Sequence, residues 1–188
     1  FDLFYPLAAG AEIHILDNEL RKDMDGMARY ISEHHITGMT QSTAIGMALL
    51  NQYDLDIEYI MLGGEKFLPV KKTTTKLFNG YGPTEFTCCS SYHVIDQDKD
   101  IDIPIGRAVP NSASFICDMN GNLLPQGVAG ELCLAGVQIA QCYWHRPELT
   151  AEKFCDRQFG DRTFKVYRTG DLARYNEKGE LEFMGRID

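Results

Sequence analysis

Short apolar runs alternate with helix-like segments through the first half of the chain, and this alternation constrains the fold more than any other feature. Residues 57–62 and 76–78 are strand-like runs that end in glycine-containing turns, whereas residues 24–31 and 42–50 carry apolar side chains at helical spacing. We also expect a short strand over residues 11–16. Strands that alternate with helices are typical of a parallel sheet with helical cover.

Turn residues become frequent after a polar stretch at residues 96–100. Asn120-Gly121 separates two apolar runs and predicts a hairpin. The helix-like segment at residues 147–154 has a proline in its first turn. The predicted fold class is therefore α/β, with a parallel-sheet αβ subdomain over residues 1–97 and a β-rich, barrel-like subdomain over residues 98–188.

The composition is that of a globular domain and argues against several classes of function. The 188 residues include 27 acidic and 18 basic side chains, a formal net charge of −9, which disfavours nucleic-acid binding. No apolar run approaches the length that spans a bilayer. The six cysteines include no C-x-x-C pair, which argues against a zinc site and favours a reducing cytoplasm.

The segment Asn79–Glu85, with the sequence NGYGPTE, is the first candidate for a binding loop. Its two glycines let the backbone approach a ligand closely, and its proline stiffens the bend. Thr84 and Glu85 supply hard oxygen ligands suited to a Mg²⁺ ion that carries phosphates, and Tyr81 offers a flat face to a base. An ordinary surface turn accounts for the same residues equally well.

The second candidate is Asp171, which follows Thr169-Gly170 in what we expect to be a turn at the end of a strand. A carboxylate in such a position can accept the hydroxyl protons of a ribose, although an aspartate in a turn is more often only a turn former. A third segment, residues 130–136, and the helix that follows at residues 146–154 have a purely structural interpretation: a strand, a glycine turn and a helix.

Taken together, these segments resemble the adenylate-forming superfamily in their order and spacing, and specifically the amino-acid adenylation domains of nonribosomal peptide synthetases. The two most specific motifs are NGYGPTE at residues 79–85 and RPELTAEKF at residues 146–154. In such domains the carboxylate of an amino acid attacks the α-phosphate of ATP, which gives an aminoacyl-AMP and pyrophosphate. The thiol of a phosphopantetheine on a peptidyl carrier domain then takes the acyl group, and condensation domains belong to the same synthetase.

The resemblance assigns three residues to the reacting phosphates. Glu85 would bind Mg²⁺, Thr84 would contact a phosphate, and Arg186 would support the ribose or a phosphate. It also implies a truncated form of the large N-terminal part of such an enzyme. Phe1 lies within an apolar run and Asp188 follows a strand-like segment, so we expect a piece of a longer polypeptide. The family's phosphate loop and lid lysine are missing, and we expect the isolated piece to be inactive.

The remaining nucleotide contacts follow from the same resemblance. Tyr81 and Phe183 would flank the adenine, and Asp171 would hold the ribose hydroxyls. Asp188 would be the hinge at which a C-terminal lid begins. Four further residues complete the expected nucleotide-binding set: Gly64, Asn79, Gly80 and Gly82.

Similarity also assigns the walls of an amino-acid pocket, none of which is charged. They are Phe1, Thr40, Met61, Gly63, Gly80, Cys88 and Cys89. Because an ionic side chain buried without a partner is costly, we expect a large neutral substrate, aromatic before aliphatic.

The family pattern is broken at residues 140–143, where Ala-Gln-Cys-Tyr replaces Ala-Arg-Gly-Tyr. We expect this departure to lie away from the predicted ligands. Three alternatives remain open at this point. They are an adenylate-forming ligase for an aryl, fatty or hydroxy acid, a non-catalytic docking domain, and a flavodoxin-like binding module that accounts only for the first half.

Overall fold

The alternating segments of the first half form the first of two units. The computed structural model describes residues 3–68 and 70–187. Unit 1 comprises Phe1–Phe78 and Val94–Lys99, and unit 2 comprises Asn79–His93 and Asp100–Asp188. The sequence predicts a division after residue 97, whereas the structure groups Asn79–His93 with the second unit.

Unit 1 contains a parallel β-α-β arrangement, as the alternation predicts. Its elements are α1 (Phe4–Ala8), α2 (Met24–Glu33), β1 (Gly38–Ser42), α3 (Thr43–Gln52) and β2 (Tyr59–Gly63). β1 and β2 are parallel, with Gly38 opposite Tyr59 and Ser42 opposite Gly63. The helix α3, which links the two strands, packs against both of them and buries Leu49. The predicted α/β class is confirmed.

The strand predicted over residues 11–16 is wrong. These residues have no regular structure, and the side chain of Ile15 is 81% exposed. An extended segment becomes a strand only when a neighbouring strand satisfies its backbone groups, and no strand of the described residues pairs with it. The apolar residues Ile13 and Ile15 are therefore not sufficient to form a strand here.

The strands over residues 91–186 of unit 2 form antiparallel pairs. The elements that lie in it wholly or in part are β3 (Lys76–Tyr81), β4 (Ser91–Val94), β5 (Arg107–Ala108), β6 (Ser112–Cys117), β7 (Gly130–Gly136), α4 (Pro147–Lys153), β8 (Phe154–Phe159), β9 (Arg162–Tyr175) and β10 (Leu181–Arg186). One sheet has the order β10-β9-β7-β6, with β8 also paired to β9. The hairpin predicted at Asn120-Gly121 is present, since Cys117 and Leu123 form a bridge across it.

β7 is buried on both faces. Leu132 and Leu134 belong to one apolar cluster, and Cys133 and Ala135 belong to another, as the period of two in a strand requires. Phe86 is fully buried in the first cluster. This side chain explains why the structure groups Asn79–His93 with unit 2, although the predicted boundary lies later in the chain.

Thr169-Gly170-Asp171 lies inside β9 and not in a turn at the end of a strand, which corrects the prediction. Cys133 is opposite Arg168 and Glu131 is opposite Leu172, so three residues of β9 face the single residue between them on β7. Such a bulge turns side chains away from their regular direction. Gly170 has a φ of 74°, in the left-handed region that favours glycine.

Glu131 holds this bulge from the neighbouring strand. Its Oε1 accepts a hydrogen bond from the backbone N of Gly170 at 3.1 Å, and its Oε2 accepts from Nε and Nη2 of Arg168 at 2.9 and 2.6 Å. Thr169 Oγ1 donates to the carbonyl of Leu132 at 2.8 Å. Glu131 is 8% exposed, so its charge depends on these partners.

No helix among residues 3–68 and 70–187 combines the length and the apolar character that a membrane span requires. All six cysteines carry free thiols.

We predict that Glu131→Gln lowers the free energy of unfolding by about 2 kcal/mol. Breaking a fully buried ion pair costs about 3–5 kcal/mol, but the Arg168 side chain is 33% exposed, which reduces the loss. Glu182→Gln is the matched control because its partner Arg174 lies in a more exposed pair, where about 1 kcal/mol or less is expected. Urea unfolding followed by far-UV circular dichroism measures both, and equal losses would contradict a structural role for Glu131.

Candidate active site

The segment Asn79–Glu85 runs from the end of β3 into a short 3-10 turn at Thr84–Phe86. Two anchors fix it within unit 2: the buried amide of Asn79 donates to the carbonyl of Pro104 at 2.8 Å, and Phe86 fills the apolar cluster. Thr84 is exposed between these anchors, and Glu85 is half-buried. The loop therefore presents a hydroxyl and a carboxylate from a rigid base.

The glycine at position 82 is required by a close approach of two backbone segments. A Cβ at Gly82 would lie 2.3 Å from the carbonyl oxygen of Cys88, far inside a normal contact. The chain returns through Thr87 and Cys88, which have φ values of 53° and 68°. Ser90 then donates its backbone N to the carbonyl of Tyr81 at 2.8 Å. The loop is closed on itself by main-chain contacts.

The carboxylate of Asp171 joins two distant parts of the sequence. Tyr81 donates its phenolic hydroxyl to Oδ2 of Asp171, and Nη1 of Arg186 donates to Oδ1 at 3.0 Å. The same Arg186 nitrogen donates to the carbonyl of Thr169 at 3.0 Å. Asp171 is 7% exposed, whereas the Arg186 side chain is 51% exposed. The two motifs singled out in the sequence thus meet at one carboxylate.

Two aromatic rings lie beside this carboxylate. The ring centroids of Tyr81 and Phe183 are 6.2 Å apart, with an interplanar angle of 35°. Phe183 is 42% exposed, and the bulge between Phe183 and Gly185 interrupts its strand pairing. A partly exposed aromatic face is suited to a planar base.

Glu85 is held by the hydroxyl of Tyr143 and by the main chain of Ala140. The hydroxyl of Tyr143 donates to Oε1 of Glu85 at 2.5 Å and lies 3.5 Å from the hydroxyl of Tyr167. The backbone N of Ala140 donates to the carbonyl of Glu85 at 2.8 Å. These contacts come from Ala140 and Tyr143, the two residues of the segment that match the family pattern, and not from the altered Gln141 and Cys142.

The hydrogen bonds set the charge states of these groups. Burial alone would raise the pKa of Glu85, but the bonds from Tyr143, from its own backbone N and from Tyr167 outweigh it, so its pKa lies below the ordinary value. Burial and the hydrogen bond to Asp171 raise the pKa of Tyr81. Glu85 is therefore an anion at neutral pH, and Tyr81 keeps its proton as a donor.

The predicted pocket residues fall into two groups, and each is described in its own unit. In unit 1, Thr40 and Met61 are opposite each other on β1 and β2, and Gly63 ends β2. In unit 2, Cys88 is exposed and Cys89 is half-buried.

Three other residues predicted for the site have no described contact with it. Gly64 follows β2 in unit 1, with a φ of 97°. Phe1 and Asp188 lie outside the described residues.

Sequence reasoning missed three residues that contact the candidate site: Glu131, Tyr143 and Tyr167. Glu131 lies in a segment whose sequence pattern indicates only a structural role. Tyr143 ends the altered family motif at residues 140–143, and Tyr167 lies two residues before the candidate Thr169-Gly170-Asp171. The only available signal was a buried polar group in an otherwise apolar strand, as at Glu131 between Gly130 and Leu132. No local pattern marks the two tyrosines.

Comparison with known proteins assigns the chain to a family. The family described as "AMP-binding enzyme" matches residues 1–144. The chain is 37% identical to bacitracin synthase 1 of Bacillus licheniformis and 36% identical to tyrocidine synthase 2 of Brevibacillus parabrevis, over its whole length.

These two relatives are far longer than the chain, which spans 4% and 5% of their length. Among solved structures, PA1221, described as an NRPS protein containing adenylation and PCP domains, matches with a TM-score of 0.80 and 30% identity over 88% of this chain and 36% of that one. The predicted family is therefore confirmed: the chain belongs to the AMP-binding enzymes and is part of an adenylation domain of the nonribosomal peptide synthetase type.

Proposed function

We propose that this chain forms the nucleotide-binding part of an enzyme that activates an amino acid with ATP for nonribosomal peptide synthesis. One oxygen of the amino acid's carboxylate attacks the α-phosphate, and the bond to pyrophosphate breaks, which leaves an aminoacyl-AMP. The observation that carries the proposal is the contact of Tyr81 and Arg186 with the carboxylate of Asp171. Residues from two motifs 90 positions apart converge there.

The nucleotide roles follow from the chemistry of these groups. Asp171 carries two acceptor oxygens suited to the hydroxyl groups of a ribose. The rings of Tyr81 and Phe183 offer apolar faces to adenine, and the exposed guanidinium of Arg186 favours a nearby phosphate. Asn79, Gly80 and Gly82 would shape the backbone beneath the nucleotide.

The oxygen atoms of Glu85 and Thr84 fit a Mg²⁺ ion that arrives with ATP. Among the described residues no group of three or more His, Cys, Asp or Glu side chains is arranged for a metal ion. Mg²⁺ bound to nucleotides needs no such cage, since one or two carboxylates and the phosphates suffice. The ion would neutralise charge on the phosphates. Glu85 would hold it through an ionised carboxylate, and Thr84 would contact a phosphate.

The proposed substrate is a large neutral amino acid, aromatic before aliphatic. The residues that the family resemblance assigns to the substrate carry no charge that could pair with an ionic side chain: Thr40, Met61, Gly63, Cys88 and Cys89. Gly63 and Gly80 leave room for bulk. A pocket of this kind separates similar apolar side chains by only about 1–3 kcal/mol per methylene, so the proposal stops at the class.

The acyl group would pass to a phosphopantetheine thiol on a carrier domain, and condensation domains would use the product. Support comes from PA1221, which contains adenylation and PCP domains, and from the similarity to peptide synthases. A net charge of −9 gives no support to a nucleic-acid partner.

We predict that the full-length protein catalyses amino-acid-dependent exchange of radioactive pyrophosphate into ATP, with an aromatic amino acid as the best substrate. Leucine, isoleucine and methionine serve as the aliphatic comparison, and an aryl acid and a hydroxy acid test the rival ligase function. Exchange with aliphatic residues alone would overturn the pocket assignment. Exchange with the aryl or hydroxy acid alone would overturn amino-acid activation.

In the same assay we expect Glu85→Gln to lower the exchange rate by about 10²-fold, because the amide lacks the charge that holds Mg²⁺ against the phosphates. Glu182→Gln is the control, since that carboxylate lies in an exposed ion pair with Arg174. A wild-type rate in the Glu85 variant would remove this residue from the reaction.

We expect Asp171→Asn to raise the KM for ATP by about tenfold, since an amide replaces one acceptor for the ribose with a donor. Asp118→Asn is the control, because the carboxylate of Asp118 accepts hydrogen bonds from Asn120 and Asn122 within the exposed hairpin turn. Initial rates over a range of ATP concentrations separate KM from kcat, and an unchanged KM would refute the ribose role.

A further inference from the structure

The segment Ala140–Tyr143 makes two hydrogen bonds to Glu85. Its first residue donates a backbone hydrogen bond to the carbonyl of Glu85 at 2.8 Å, and its last donates a phenolic hydrogen bond to Oε1 at 2.5 Å. One contact fixes the main chain of Glu85, and the other fixes its carboxylate. A glutamate side chain has three rotatable bonds, so a partly exposed one samples several rotamers unless such contacts hold it.

Tyr143 is itself held in place. Its backbone N donates to Oγ1 of Thr150 at 3.0 Å, and Thr150 in turn donates to the carbonyl of Arg146 at 2.8 Å, which ties Tyr143 to the first turns of α4. Its ring packs edge-on against Phe154 with centroids 5.4 Å apart, and Phe154 contacts Tyr167 at 5.1 Å. The phenol that reaches Glu85 is therefore presented by a packed aromatic group.

We infer that Tyr143 is a positioning residue that orients the carboxylate of Glu85 toward the metal ion that accompanies ATP. This inference rests on the proposed function. Tyr143 touches neither the metal nor the substrate; it occupies one carboxylate oxygen and fixes the plane of the group. Metal ligands held by such outer partners bind their metal more tightly, because less conformational freedom is lost on binding.

The decisive variant is Tyr143→Phe, which removes the hydroxyl and keeps the ring against Phe154. We expect the dissociation constant of Mn²⁺, measured by electron paramagnetic resonance with the full-length protein and α,β-methylene-ATP, to rise about tenfold. In pyrophosphate exchange, the Mg²⁺ concentration for half-maximal rate should rise by a similar factor, with most of the maximal rate recovered at saturating Mg²⁺.

Tyr175→Phe is the matched control. Tyr175 is also a partly buried tyrosine of unit 2, and its hydroxyl donates to the carbonyl of Ser114 at 2.7 Å, away from Glu85. It should leave both metal measurements unchanged. In a Glu85→Gln background, Tyr143→Phe should add nothing to the metal requirement, since its effect passes through Glu85.

Unchanged Mn²⁺ and Mg²⁺ requirements in Tyr143→Phe, with normal exchange by the wild type, would overturn the positioning role and leave the proposed function standing. The positioning role and the proposed function would both be overturned by a wild-type protein that binds Mn²⁺ only in the absence of the nucleotide and shows no pyrophosphate exchange with any acid. If Tyr143→Phe lowers the unfolding midpoint, Thr150→Val gives a second test. It loosens the backbone of Tyr143 without touching Glu85, and an unchanged metal requirement there would also count against the inference.

Discussion

One buried carboxylate, that of Asp171, organises the candidate site. Its two oxygens serve different partners: one accepts from the phenol of Tyr81 and the other from the guanidinium of Arg186. A charge that is 7% exposed needs such partners, because burial without them is costly. The ends of β3 and β10 are therefore tied to β9 by an electrostatic requirement, in addition to their packing.

The bulge in β9 makes this arrangement possible. In a regular strand, successive side chains point to opposite faces of the sheet. The side chain of Asp171 would then have no freedom to turn toward both Tyr81 and Arg186. Glycine at position 170 is favoured by its φ of 74°, which residues with a side chain rarely adopt. Glu131, buried on the central strand, holds the irregularity in register through the backbone N of Gly170.

Much of this architecture follows from the sequence, and the exceptions have physical causes. The parallel pair β1 and β2 and the hairpin at Asn120-Gly121 are encoded locally, in apolar periodicity and turn chemistry. The strand expected at residues 11–16 fails because strand formation depends on a neighbour that no local pattern reveals. Thr169-Gly170-Asp171 has the residues of a turn, and the same residues serve equally in a bulge. The residue types and the family resemblance together selected Tyr81, Glu85 and Asp171, but neither revealed Tyr143, whose contact depends on how α4 and β8 pack.

The two hydrogen bonds from the segment Ala140–Tyr143 to Glu85 have a consequence for sequence variation. They come from the ends of a tetrapeptide, a main-chain N at Ala140 and a phenol at Tyr143, so the two central residues have no direct part in them. Gln141 offers its carbonyl to Lys165 at 3.1 Å, which any residue could do, and Cys142 is exposed. The two residues that depart from the Ala-Arg-Gly-Tyr pattern are thus the inner residues of the tetrapeptide, and the two end residues that contact Glu85 keep the pattern. Drift in a recognition motif can be harmless when the atoms that matter lie at its edges.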